Sequence, residues 1–534
     1  MAKRSWEEIV REKCETRQRL VEPYLDKTNG ERETAVAVLN IDNVECLTSL
    51  LASGKVKAHD ITLSYIRRYP NEWNYPAHLS LTNWDRSRAA EAHQMTNCLT
   101  EVFFDDAIKE ADRLDDYYHR HGKLIGPLHG IPVTLKDQFD VAGADSTMGY
   151  VSRAFSPADK DAVLVHILRD LGAWCETENP LWGLTTNPRN PDFTPGGSSG
   201  GEGVLLALQA SMIGWGTDIG GSIRIPSHMN GLWGLKPTSS RLPYQGVPVS
   251  TEGQEHVPSS VGPLTRSLSS LTTVMQQVIE MKAWIFDPKV VPIPWRQDVY
   301  EEVHQRPLTI GVLFDDGVVK VHPPIERVLR ELESKLKAAG HEIVPWDASG
   351  HRECIEIMDL FYTADGGEDI RREVQAGGEP FIPHVEALIN RGSPISVYEY
   401  WQLNKRKLAA QKAYNEKWNT IKSPMTGRSV DVVLMPTMPH TAVPHRTCRW
   451  VGYTKVWNFL DYTALSFPAG QVIASKDIAP PEYQPRNDYD AWNWKLYDPV
   501  TMDDHPVGLQ IVGRRFEEEK VLGVASVINQ IMRA

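Results

Sequence analysis

Gly196-Gly197-Ser198-Ser199-Gly200-Gly201-Glu202 and, farther on, Asp218-Ile219-Gly220-Gly221-Ser222-Ile223-Arg224 are the stretches from which the rest of the chain can be read. Each sets a serine in glycine-rich backbone, where missing side chains let the main chain turn tightly and a ligand approach the amide N–H groups. In an ordinary chain such a run is a flexible loop. Here each run leads into apolar sequence, Val204 to Leu208 in one case and Ile223 and Ile225 in the other. Both therefore read as helix starts, where orphan N–H groups point outward and are suited to stabilising an oxyanion.

A serine needs a base to become a nucleophile. His228 is near Ser222 in sequence, but a histidine just after Pro226 on an expected helix is more often a packing residue. Gly196 to Gly200 satisfies Gly-x-Ser-x-Gly formally. A nucleophile elbow needs a buried strand before it, and Pro191 and Pro195 deny it one. The third candidate is Lys136, at the end of Gly130-Ile131-Pro132-Val133-Thr134-Leu135-Lys136-Asp137. Ile131, Val133 and Leu135 read as one face of a buried strand, with Thr134 and Lys136 on the other. Dehydration there penalises the ammonium and lowers its pKa, which turns a lysine into a base.

These three segments, in this order, resemble the amidase signature family, whose catalytic unit is a Ser-cisSer-Lys triad. The resemblance implies Ser222 as the acyl-forming nucleophile, Lys136 as the base and Ser198 as the bridging serine in a cis peptide, with Ser199 its neighbour and not the relay. It runs from roughly Leu124 to the C-terminus and includes Gly234-Leu235-Lys236-Pro237-Thr238. The wording of Asn97-Cys98-Leu99-Thr100-Glu101 and of the tail is similar to fungal acetamidase-type amidases. Implied with it are a single large mixed β-sheet covered by helices on both faces, and hydrolysis of a small primary amide to ammonia and a carboxylic acid through an acyl-enzyme. The N–H groups of Ile219, Gly220, Gly221 and Ser222 are expected to hold the oxyanion, and no metal or organic cofactor is needed. Ser198, Ile219, Gly220, Gly221 and Trp182 are expected to bind substrate. Leu181, Met148, Tyr150 and the region from Asp365 to Ser396 are further candidates for shaping the acyl pocket. Two rival functions use the same fold: a glutamine amidase subunit of an amidotransferase, and a non-catalytic binding protein, for which the triad should be broken.

The 534 residues are 41% hydrophobic and 24% charged, an ordinary globular composition, and the net charge of −12 argues against nucleic acid or anionic membrane as the main partner. The start lacks the apolar core of a secretory signal, and nowhere do 18 apolar residues run together, so no transmembrane anchor and a cytoplasmic location are expected. Six cysteines are scattered singly without metal-ligand spacing and read as free thiols.

Residues 1–122 read as a mostly helical region, with helices over Ile61 to Arg68, Trp84 to His93 and Phe103 to His119, placed to wrap the core and to contribute to a homodimer. Residues 123–534 form the catalytic domain, with the signature core at about 124–260. A helix from Lys160 to Leu171 and a short strand from Ala173 to Cys175 begin a strand–helix alternation that implies an α/β architecture. Leu308 to Phe314, a helix after His322-Pro323-Pro324 and a strand from His341 to Pro345 read as one βαβ unit. Asp365 to Thr420 reads as charged and helical. Further strands are expected at Val432 to Met435, Ala469 to Ala474 and Val507 to Val512. The aromatic-rich connection from Ser475 to Asp504 is expected at a rim or an oligomer contact.

Overall fold

The Gly220–Ser222 turn leaves the carboxyl end of a strand, and that strand belongs to one mixed sheet. A computed structural model describes residues 4–25, 41–67, 88–172, 180–480 and 482–534. Among them lie β1 (Val133–Leu135), β2 (Ile213–Asp218), β3 (Trp233–Lys236), β4 (Ser260–Thr265), β5 (Thr309–Val312), β6 (Glu342–Pro345), β7 (Val432–Pro436), β8 (Ala464–Gln471) and β9 (Pro506–Val512). Their order across the sheet is β1-β2-β4-β3-β8-β9-β7-β5-β6. β1 runs parallel to β2, and β5 parallel to both β6 and β7. The pairs across the middle of the sheet, from β2/β4 to β7/β9, are antiparallel.

Every residue of β2, β4, β7 and β9 is buried. Successive side chains of a strand point to opposite faces, so helices cover both faces of this sheet. The expected βαβ unit is present: β5, a helix over Pro323–Ala338, then β6. Ile325, Val328, Leu329, Leu332 and Leu336 are the buried stripe of that helix. Each contributes about 1.5–3 kcal/mol by leaving water. Gly340, at φ 88°, ends the run.

At the N-terminus the Trp6–Val21 helix starts from a capping box made by Ser5 and Glu8. It lies on Val151, Leu181 and Trp182, and its Lys13 donates to Asp145 (2.8 Å) and pairs with Glu101. The Ala58–Ile66 and Phe104–His121 helices fall where two of the expected helices do. The third is seen as Ala89–Thr96, and 84–87 and the expected strand at Ala173 to Cys175 lie outside the described residues. The strand expected at Ala469 to Ala474 instead begins at Ala464, because pairing with β3 and β9 starts there.

The connection from Ser475 to Asp504 contains a helix, Asp488–Lys495. It is tied to residues 315–320 by Arg486–Asp315 (2.6 Å), by Asn487 donating to the Val318 carbonyl (2.8 Å) and by the Lys320 N–H donating to Asp490 (2.8 Å). Of its aromatics, Tyr483, Trp492, Trp494 and Tyr497 are half-buried and Tyr489 is exposed, with Tyr483 against Trp494 at 4.3 Å between centroids. Among the described residues no helix is long and apolar enough to cross a membrane.

Candidate active site

Parallel pairing of β1 with β2 puts the carboxyl ends of both strands at one edge, the position where open α/β sheets hold ligands. Lys136 follows β1 directly, and its N–H still donates to the Trp215 carbonyl (3.0 Å), so the ladder fixes its backbone. Its side chain is half-buried. The amine donates to Ser198 Oγ (2.6 Å) and to Thr217 Oγ1 (2.7 Å). Thr217 passes its own proton to Gln138 Oε1 (2.7 Å), and Gln138 donates on to the Pro248 carbonyl (2.7 Å). This chain has one direction only, so Thr217 accepts from Lys136. Thr217 and Gln138 were not read from the sequence. What brings them to Lys136 is the β1/β2 register, which no local pattern encodes.

Ser198 is exposed and stands at the end of a bend made by Gly196 (φ 87°) and Gly197 (φ 57°). Among the described residues no peptide bond is cis, so the cis peptide expected at Ser198 is not found; the two left-handed glycines make the bend. Gly197 is also where the two serine loops meet, since a Cβ there would lie 3.1 Å from Ser222 Cα. Ser222 is half-buried, and no hydrogen bond between the described residues joins its hydroxyl to that of Ser198. Ser199 is buried and faces the other way, against Gly216, where a Cβ would come within 2.6 Å of its Oγ.

The turn before Ser222 is braced from below. Asp218 and Arg224 are fully buried and paired at 3.0 Å. Asp218 also accepts the N–H groups of Gly221 (2.8 Å), Ile223 (3.2 Å) and Arg224 (3.4 Å). Burial alone would raise its pKa, but the charge and hydrogen bonds of Arg224 outweigh burial and hold it at about 2. Arg224 reaches Asn458 (2.7 Å) and Gln510 (3.2 Å) with two of its three remaining donors. One expectation is thereby corrected. The Gly221 N–H is spent on Asp218 and is not open to an oxyanion, whereas those of Ile219, Gly220 and Ser222 meet no acceptor among the described residues. Gly221 sits at φ 135°, and a Cβ would strike Thr454 Oγ1 at 2.4 Å, so only glycine fits.

His228 is fully occupied elsewhere. Its Nδ1 accepts from the Gly508 N–H (2.9 Å) and its Nε2 donates to the His440 carbonyl (2.8 Å), which makes it a strut between the Arg224–Asn230 helix and β9. Asp137, next to Lys136, accepts from the Thr147 N–H (3.0 Å) and hydroxyl (2.7 Å), and so ties the loop carrying Met148 and Tyr150 to the lysine segment. Trp182 and Leu181 are buried in the cluster beneath the first helix, with Lys13 at 5.3 Å and Arg17 at 4.9 Å from the Trp182 ring. None of these contacts brings Trp182 to Lys136, Ser198 or Ser222. On the other side of the turn, Tyr362 donates to the Ile219 carbonyl (2.8 Å). It is part of the wall of a cavity of about 500 Å³ that also presents Glu252, His256, Asp365, Asp369 and Tyr400.

Residues 82–522 match the model of the family described as Amidase. The chain is 55% identical to "Amidase 1" of Gibberella moniliformis, over 99% of this chain and 100% of that one. It is 36% identical to "Acetamidase" of Aspergillus oryzae, over 91% and 89% of the two chains. Among solved structures, "Fatty acid amide hydrolase" superposes with a TM-score of 0.84 at 29% identity, covering 100% of this chain and 91% of that one. A mixed sheet that ends in two serine loops beside a lysine, and relatives of this extent, lead to one conclusion: the chain belongs to the amidase signature family and is an amide-hydrolysing enzyme.

Proposed function

We propose that the protein hydrolyses a small primary amide to a carboxylic acid and ammonia through an acyl-enzyme on Ser222. The observation that carries this reading is the 2.6 Å contact between Lys136 Nζ and Ser198 Oγ, beside the point where the Ser198 and Ser222 loops touch. Lys136 acts as a free amine. As Ser222 Oγ attacks the amide carbon, its proton passes to Ser198, and the proton of Ser198 passes to Lys136. The C–N bond then breaks, and the same path returns a proton to the leaving nitrogen, which departs as ammonia. Water enters by the reverse relay and releases the acid. This relay requires Ser198 Oγ to reach the Ser222 hydroxyl in the Michaelis complex, where catalytic hydrogen bonds tighten.

The N–H groups of Ile219, Gly220 and Ser222 are the donors available to the tetrahedral oxyanion, each worth about 3 kcal/mol where such donors have been removed from other hydrolases. A relative named acetamidase favours a short acyl group. The purified chain should release ammonia from members of a panel of acetamide, longer aliphatic amides and aromatic amides. A fluorophosphonate should label Ser222 alone. Labelling at Ser198 or Ser199, or no labelling with activity intact, would overturn the assignment.

A further inference from the structure

The turn from Asp218 to Gly221 is gripped on its carbonyl side by three side chains. Asn458 Nδ2 donates to the Asp218 carbonyl (3.1 Å), the Tyr362 hydroxyl to the Ile219 carbonyl (2.8 Å) and the Thr454 hydroxyl to the Gly220 carbonyl (2.6 Å). In a trans peptide a carbonyl and the next N–H point in opposite directions. The three grips therefore turn the N–H groups of Ile219, Gly220 and Gly221 away from these side chains. Gly221 gives its N–H to Asp218, and the other two are left for the site.

Glycine allows a peptide plane to rotate more freely than any other residue. The plane between Ile219 and Gly220 is held on its carbonyl side by one hydroxyl, that of Tyr362. A rotation there would carry the Gly220 N–H away from the developing oxyanion and bring a carbonyl in its place. From these contacts we infer that Tyr362 is a positioning residue for the oxyanion turn, acting through the Ile219–Gly220 peptide. The inference rests on the proposed roles of Ser222 and of the Ile219 and Gly220 N–H groups.

The surroundings keep Tyr362 in place. It is the last residue of the His351–Tyr362 helix. The Lys455 ammonium stands 5.3 Å over its ring and pairs with Asp359, three positions earlier on the same helix. Burial, with the nearby charges of Asp359 and Asp218, raises the phenol well above its ordinary range, so it remains a donor at every working pH. Thr454 and Asn458 share the Gly452–Phe459 helix, so the turn is held between two helices. Asn458 also belongs to the Asp218–Arg224 cluster. Tyr362 can lose its grip without disturbing that cluster.

The test follows inactivation by a fluorophosphonate, whose phosphoryl oxygen occupies the oxyanion position, in wild type and in Tyr362→Phe. That substitution removes one oxygen and keeps the ring in the cavity wall. Wild type should be labelled at Ser222. In Tyr362→Phe the saturating rate of inactivation should fall about ten-fold, less than the loss from deleting a donor outright, with KI within two-fold and the melting temperature unchanged. Thr454→Val and Thr454→Ser give an independent reading of the same turn: Val should slow inactivation and Ser should restore it. An unchanged inactivation rate in Tyr362→Phe, or a weaker KI at an unchanged rate, would overturn the positioning role while leaving the triad intact. If wild-type Ser222 took no label, the triad reading would fail and this inference with it.

Discussion

Lys136 is held by two hydroxyls of different kinds. Thr217 gives its proton away to Gln138 and so can only accept from the lysine, while Ser198 is free to donate to it. With Lys136 as the proposed base, which works only when it has lost its proton, the rate should fall on the acid side, rise with pH and level off once the amine is neutral. A second lysine complicates the reading of such a profile. Lys236 is buried on β3 beside the Asp218–Arg224 pair, and burial lowers its pKa to about 8 despite the opposing charges of Asp461 and Asp218. The two are separable by substitution. In Lys236→Met the acid limb of kcat/KM should stay where it is; its disappearance would move the titration to Lys236. Lys136→Ala should lose about a hundred-fold or more in kcat, and Lys136→Arg, charged at every accessible pH, should recover nothing. The candidates Ser198, Ser222 and Lys136 can be named from the sequence because glycine runs and a strand-end lysine are local signals. Thr217 and Gln138 cannot, because they meet Lys136 through the register of a parallel pair and a turn after β1.

At the scale of elements, the site depends on β2 running straight into a turn and then into the seven-residue helix Arg224–Asn230. A helix so short is marginal by itself. The Asp218 carboxylate, which accepts the N–H groups at its start, and the Arg224 guanidinium, which neutralises that carboxylate, hold it to the strand. Removing one member of a fully buried pair strands the other charge, so Arg224→Ala should cost about 3–5 kcal/mol. The check is denaturant unfolding of wild type and variant, and equal midpoints would show that the pair contributes no net stability. Elements of this kind also explain where sequence reading succeeded. The Pro323–Ala338 helix carries long, clean periodicity, and β5 and β6 fall within the runs read from Leu308 to Phe314 and from His341 to Pro345. β2 reads Ile-Gly-Trp-Gly-Thr-Asp, with glycine at 214 and 216 where Glu202 and Ser199 approach within a Cβ's reach. Its strand signal is erased by the packing that makes it useful. β3, Trp-Gly-Leu-Lys, was not read as a strand, because it is short and a glycine interrupts it.

Across the whole molecule, histidines buried as neutral rings set how the protein meets acid. Burial is the leading cause in each case, and it lowers His93, His351 and His440 to about 3, and His256 and His322 to about 4. Nearby cations push the same way, Arg17 on His93, Lys407 on His256 and Lys417 on His351. Geometry agrees, since among the described residues His322 Nδ1, His351 Nδ1 and His440 Nε2 are buried without a hydrogen-bond partner and a proton there would find no acceptor. In the unfolded chain these imidazoles take up protons near pH 6.5, while in the native state they stay neutral until about pH 4 or below. The unfolded state therefore binds more protons across that window, and stability is lost as pH falls through it, by about 1.4 kcal/mol per pH unit for each ring fully protonated only when unfolded. Asp218, held at about 2, extends the loss below the ordinary aspartate range. Buried carboxyls oppose it, since burial raises Asp316 to about 6, Asp137 well above the ordinary range and Glu101, Asp140 and Asp369 upward, so the native state gains as those groups protonate first. His129, His228, His341 and His505, lowered by burial, add to the loss. The melting temperature should be level around pH 7 and fall by about 10 °C or more between pH 6.5 and 4.5. A level melting temperature over that interval would mean that the buried rings accept protons in the native state. His351→Gln, which keeps a partner for the Tyr414 hydroxyl (2.8 Å in the native chain) and cannot take up a proton, should show a shallower fall over the same range.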